Sequence, residues 1–370
     1  MDLYTELNVK ISPFDSLIHL VGSELHKGGP LWNDWDNCLY QRHWRGRNRV
    51  DTMPQLLDYT SSSLNLDTGY WCGPITKHYG HQIAEFTTRL PVYLGLHSPS
   101  EPLIFGIKRN AMPQSIPSFM KQLLVYFQIP WQNIHLCNSS ISVKKLKWTP
   151  QQEISPHGTP SEDYIQVLTS HADQVLAGSS VDARHVYVSR AGLTKGSVAG
   201  ESYLEEFFVA KGYTVIRPEN HGVIKQLSLY QGAQSLIFME GSALHTLQLL
   251  GRLGCRVLVI GRRPGLKMAR PQLQPRMRSL EYLDAVQAFS PGIEKTVRPA
   301  DAKGITVLDA EILKAQLESF GVSTIGFDSE EYYQRVKYDI SRWFLSGESL
   351  AGPQAESARR FATDNLAPFM

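Results

Sequence analysis

Hydrophobic positions in the second half of the chain switch between two periods. The apolar runs "RHVYVSR" (184–190), "YTVIRP" (213–218), "SLIFME" (235–240) and "CRVLVIG" (255–261) predict buried strands. Between them "ESYLEEFFVAKG" (201–212), "GVIKQLSLYQGA" (222–233) and "SALHTLQLLGRLG" (242–254) carry helical spacing, the first with Gly212 where a C-cap belongs. Strand and helix alternating over short links predict a parallel sheet in an open α/β domain. Past residue 310, "LDAEILKAQLESFG" and "SEEYYQRVKYDISRWFLSG" predict amphipathic helices. The first half is less regular. Residues 1–65 show no clear period; "PLIFGI" (102–107) and "ISVKKLKWT" (141–149) predict strands, and "IPSFMKQLLVYFQI" (116–129) a helix that stops at Pro130. "PQQEISPHGTPSE" (150–162) reads as a linker or exposed loop.

At 370 residues the chain is too long for one ordinary core. The pattern divides it into an N-terminal α/β domain (1–165), a C-terminal α/β domain (166–328) and closing helices (329–370). A net charge of +2 gives no general reason to bind nucleic acid, although "RHWRGRNR" (42–49) and "GRRPGLKMARPQLQPRMR" (261–278) are locally basic enough for a phosphate-bearing ligand. Cys38, Cys72, Cys137 and Cys255 lie far apart without CxxC spacing, which points to free thiols in a reducing compartment. The first residues carry Asp2 and Glu6 where a secretory signal is basic, and no apolar run approaches membrane-spanning length. The expectation is a cytoplasmic protein, with peripheral membrane association compatible.

In an open parallel sheet, ligands sit beyond the carboxyl ends of the strands. Ser189 and Arg190, Arg217 to Glu219, and Glu240 to Ser242 all fall there. The helix after Gly241 offers unpaired N–H groups to a phosphate, Gly241 allows close approach, and Ser242 is placed to cap the helix. Arg190 and Lys195 are candidates to complete a pyrophosphate clamp. The bland alternative is a tight strand-to-helix turn with solvated basic side chains around it. In the first half, "HYGHQIAEF" (78–86), if helical, sets His81 and Glu85 one turn apart on one face. Such a pair suits a general base and its orienting partner. A metal site is the weaker reading, because the HExxH order is missing, and His81 as an ordinary packed helix residue is the structural one.

The ordered string of motifs from 187 to 247 resembles the family 61 glycosyltransferases. It is carried by Ser189, Arg190, Glu201, Gly212, Pro218, Glu219, Gln226, Ala233 and Gly241 to Leu244, and continues back through "GYWCGPITKHYGHQIAEFTTRLPVYLGL" (69–96). The usual His before the Gly is Glu240 here, and the Asn late in that turn is Thr246. The resemblance implies a GT-B-like fold, two Rossmann-like α/β domains facing a cleft, with the closing helices returning toward the first. It implies transfer of a sugar with inversion from a nucleotide-diphosphate donor, needing no bound metal or other cofactor, to a glycan or glycolipid acceptor in surface polysaccharide or capsule synthesis. It selects His81 as base, with Glu85 as its partner from the spacing, and Ser189, Arg190, Glu219, Gln226, Gly241, Ser242 and Ala243 for the donor, beside which Lys195 and Glu240 stand as candidates from their place at the strand ends. An anionic Glu240 beside a diphosphate repels it unless turned away or paired with Arg190 or Lys195. The competing class is a catalytically silent nucleotide- or glycan-binding α/β protein. An oxidoreductase is disfavoured because no GxGxxG follows a strand.

Overall fold

The computed structural model describes residues 1–16, 26–54, 64–94, 101–178, 183–193, 195–292, 300–347 and 353–370. Thr194, in the basic loop after Arg190, lies outside them. The first half supplies strands β1 (Tyr4–Ser16), β2 (His26–Leu31), β3 (Trp44–Arg45), β4 (Asn48–Arg49), β5 (Asp51–Thr52), β6 (Leu64–Pro74), β7 (Leu103–Gly106), β8 (Ile134–Cys137) and β9 (Ile141–Trp148). β3 and β4 form a two-stranded ribbon, and the others a mixed sheet in the order β5-β2-β1-β9-β6-β7-β8. The second half supplies β10 (His185–Val188), β11 (Ser197–Val198), β12 (Thr214–Ile216), β13 (Ser235–Met239), β14 (Leu253–Ile260), β15 (Met277–Leu283), β16 (Val286–Gly292) and β17 (Ala300–Leu308). Here β12-β10-β13-β14-β15 is a parallel sheet, and β11-β17-β16 a small separate one. The helices are α1 (Tyr79–His81), α2 (Ser118–Tyr126), α3 (Glu162–Val175), α4 (Glu201–Ala210), α5 (Val223–Gly232), α6 (Arg270–Leu273), α7 (Ala310–Phe320), α8 (Ser329–Gly347) and α9 (Pro353–Leu366). The fold is mixed α/β. Among the described residues, no helix is long and apolar enough to cross a membrane.

β10, β13 and most of β14 are buried on both faces, as a covered parallel sheet requires, whereas the edge strand β12 has Thr214 exposed and Val215 half-buried. Side chains alternate between two cores. Val186, Val188, Leu236, Phe238, Val257 and Val259 join one apolar cluster, which runs on through Leu244 into Tyr70, Leu90, Tyr126 and Leu168 of the first half. Tyr187, Ile237, Met239, Leu258 and Ile260 face the other cluster, with Leu204, Val307, Leu313 and Tyr332. One core therefore spans the two sheets, and the second belongs to the C-terminal half.

Two expectations need correction. Residues 1–65, which showed no period, include the thirteen-residue strand β1, whose Val9 and Ile11 are fully buried. The alternation is there but short, and Asn8 interrupts it with φ 57°. The segment 150–162, expected to be a linker or exposed loop, is a loop exposed only in part: Pro156, His157, Thr159 and Ser161 are exposed, but Gln151 and Glu153 are buried, and Gln272 Nε2 donates to the carbonyls of Ile154 and Gly158. The closing helices α8 and α9 pack on the second half. Tyr332, Val336, Ile340 and Leu366 are buried in the second core, where α8 meets α4 and α9 meets β16.

Candidate functional site

α1 is one turn long and runs directly into a π-helical turn, Gln82–Phe86, and then a 3-10 helix, Thr87–Tyr93. Single π turns recur at functional sites because they re-aim side chains. Gln82 fixes this one, accepting from the Thr76 amide at 2.9 Å. His81 Nδ1 thereby stands 2.5 Å from Glu85 Oε1. Glu85, 2% exposed, also accepts from Arg45 Nη2 at 2.9 Å and meets His43 Nε2 at 3.4 Å. Burial alone raises the Glu85 carboxyl, but the bonds from His43 and His81 and the Arg45 charge outweigh it and hold it well below the usual carboxylate range. Glu85 is thus an acceptor only. It fixes the His81 proton on Nδ1 and leaves Nε2 as a lone pair.

The other side of the site is the turn after β13. Gly241 holds the cap position with φ 175°, extended backbone open to any residue, and no side chain caps the 3-10 helix Ser242–Leu249. The expected capping role of Ser242 does not occur, because Ser242 is already the first helical residue. The predicted helix also ends early, and β14 begins at Leu253. What Gly241 provides is room. A Cβ there would lie 2.1 Å from Arg190 Nη1, so the guanidinium rests on the turn. Arg190 is steered by the carbonyls of Lys195 and Gly196, and its amide donates to Glu201 Oε1 at 2.7 Å. Tyr187 and Ser189 hydroxyls donate to the same oxygen. Burial pushes the Glu201 carboxyl up to about 7, against the pull of the Arg190 amide.

Glu240 is fully buried. Both its oxygens are bound, to the side chain of Arg263 and to the amides of Arg262 and Arg263. Its partner is Arg263, not Arg190 or Lys195. Burial, together with the charges of Arg190 and Arg263, brings Arg262 down to about 10. Three guanidinium groups therefore gather near Gly241.

The two sides touch. Tyr79 Oη and Thr246 Oγ1 are 2.7 Å apart, and a Cβ on Gly80 would lie 2.9 Å from Ser242 Oγ. The structure thus brings His81 and Glu85 to Gly241, Ser242 and Arg190, with Ser189 and Glu240 just behind. It does not bring in every candidate. Lys195 is exposed and contributes its carbonyl; Gln226 Nε2 is used up on the carbonyls of Pro218 and His221, pinning that turn. Glu219 lies over Gly192, and Ala243 packs on the first core. Sequence reasoning passed over Arg45, His43, His245, Arg262 and Arg263. The signal for four of these was the two basic runs, which contain His43, Arg45, Arg262 and Arg263. Among the described residues, no three His, Cys, Asp or Glu side chains form a group able to hold a metal ion.

A comparison with curated proteins finds no match. The family model Glycosyltransferase 61 matches residues 79–256, a span that opens at α1 and closes in β14, so it contains His81, Glu85, Arg190 and the Gly241 turn. Over these residues, just under half of the chain, the protein is similar to the glycosyltransferase 61 family.

Proposed function

We propose that the protein transfers a sugar, with inversion, from a nucleotide-diphosphate sugar to a glycan or glycolipid acceptor in surface polysaccharide synthesis. The observation that carries this reading is the contact of an oriented His–carboxylate pair with a glycine turn overlain by arginine. In the proposed complex the two sheets act as GT-B-like halves, and the donor diphosphate lies at Gly241 and Ser242 with Arg190 over it. The Nε2 of His81 takes the proton of the acceptor hydroxyl while its oxygen forms the new bond to the anomeric carbon. The bond from that carbon to the diphosphate oxygen breaks, and the electron pair leaves with the nucleoside diphosphate. Glu85 steadies the imidazolium, much as the carboxylate of a hydrolase triad does. Arg190 and Arg262 supply the positive charge that the leaving group needs, which supports catalysis without a metal. Glu240 does not oppose the donor, since Arg263 already neutralises it.

The test is incubation with nucleotide sugars of each base and a panel of glycan acceptors, with and without EDTA, followed by determination of the product's anomeric configuration. Transfer with inversion and no loss in EDTA is expected. Binding without turnover would support the silent binding protein instead, and retained configuration would overturn the base assigned to His81.

A further inference from the structure

His245 has no part in the mechanism so far. It lies inside the 3-10 helix Ser242–Leu249 and is 9% exposed. Its Nδ1 is 2.6 Å from Gln248 Oε1, Gln248 Nε2 donates to Glu153 Oε2 at 2.9 Å, and Arg276 Nη2 donates to Glu153 Oε1 at 2.8 Å. This chain has one direction. Arg276 can only donate, and Glu153 accepts from it at both oxygens, its charge pulling against the burial that raises the carboxyl. Gln248 must then turn its amide N–H to Glu153 and its carbonyl to the ring. His245 is left with its proton on Nδ1 and a lone pair on Nε2. Burial lowers the imidazole's pKa against the pull of the Gln248 bond, so the ring is neutral at physiological pH.

The Cδ2 edge of the ring, next to Nε2, lies over Gly80, where a Cβ would be 3.3 Å away. A side chain at Gly80 would push the ring back by a few tenths of an ångström from the segment bearing His81. Ser242 Oγ and the His245 ring both lie against Gly80, the residue before His81, and Ser242 and His245 are one turn apart on the same 3-10 helix. His245 therefore stands where the group that receives the acceptor's proton meets the turn at which the diphosphate is placed. The part of a donor lying at that junction is its sugar ring.

We propose that His245 is a specificity-determining residue whose Nε2 accepts a hydrogen bond from a hydroxyl of the sugar being transferred. This rests on the nucleotide-sugar reading above and adds the sugar's contact to it. A polar group fixed in this way favours a hydroxylated glycosyl group and rejects the donor deoxygenated at that position, which leaves the lone pair unmet. Gln248, Glu153 and Arg276 are positioning residues that act through His245.

The experiment is calorimetric titration of the full chain with the nucleotide sugar it binds most tightly and, separately, with the matching nucleoside diphosphate. His245→Ala is expected to bind the nucleotide sugar roughly tenfold more weakly and the diphosphate unchanged. Gln248→Met, which keeps the ring but releases its tautomer, is expected to show a smaller loss of the same selective kind. Equal weakening toward both ligands, or none toward the sugar nucleotide, would overturn the role of His245. If the unsubstituted protein binds the diphosphate but none of the sugar nucleotides, the functional reading itself fails.

Discussion

At the scale of the residue, the site separates into a group that binds and a group that reacts, and substitution should separate them too. Arg190 rests on Gly241 and is steered by backbone carbonyls, so it meets the donor before any chemistry. Arg190→Ala should weaken nucleoside diphosphate binding by about 1.5–3 kcal/mol, the usual worth of a charged hydrogen bond. His81→Ala should leave that affinity alone and lower turnover by roughly 10²- to 10⁴-fold. Titration and initial rates on both variants decide it, and equal effects on binding and rate would remove the distinction. Glu201 gives a second prediction. Its carboxyl is held near 7 in the fold against an ordinary 4.5, amid Tyr187, Ser189, Arg190, Tyr332, Glu205, Glu240 and Arg262. The folded protein therefore keeps a proton that the unfolded chain has released. Stability contributed by this group is whole below about pH 4.5 and lost as pH rises to about 7, up to about 3 kcal/mol. Glu201→Gln keeps the acceptor oxygen and has no charge to bury, so its urea midpoint should lack this component between pH 5 and 8. The same pH dependence in both proteins would refute the assignment.

At the scale of the element, legibility followed burial. β10, β13 and β14 were plain in the sequence because both faces are apolar, and α4 and α5 because they must cover them. β15, β16 and β17 were not read. They carry mixed residues such as "MRSLEYL" and "VQAFSPG", half-exposed and without clean alternation. The site was legible where local order makes it, as with His81 and Glu85, four apart, or the strand-to-turn junction at Gly241. Arg45 and His43 reach Glu85 from forty residues away, and no local period records that. The contact between α1 and the 3-10 helix Ser242–Leu249 depends on one residue. In Gly80→Ala the new Cβ would press on Ser242 Oγ, which can rotate, and on His245, whose ring Gln248 holds. The stability cost should be about 1 kcal/mol or slightly more. Turnover should fall by roughly tenfold or more, since misplacing reacting groups by a fraction of an ångström is costly. Unchanged kinetics would mean that the contact does not set the site's geometry.

At the scale of the whole molecule, the two sheets are joined by more than a chain crossing. The first apolar core is shared between them, and the segment 150–162, read from its Pro and Gly content as a linker, is fastened into the second half by Glu153. Its ion pair with Arg276 is almost without solvent, with side chains 1% and 0% exposed. Replacing one member strands a buried charge, whereas the intact pair contributes little net stability. Arg276→Met should therefore cost about 3–5 kcal/mol, and adding Glu153→Gln should recover part of that loss. The shared core further implies that the halves unfold together. Six of the seven tryptophans, all but Trp343, lie in the first 150 residues, so fluorescence reports mainly on the N-terminal half while far-ultraviolet circular dichroism reports on both. Urea transitions from the two probes should coincide in the unsubstituted protein. They should still coincide in Arg276→Met, shifted to lower urea, because the shared core and not the ion pair couples the halves. A fluorescence transition that precedes the loss of helix and strand would show instead that the N-terminal half unfolds alone, with Glu153 and Arg276 as its main tether.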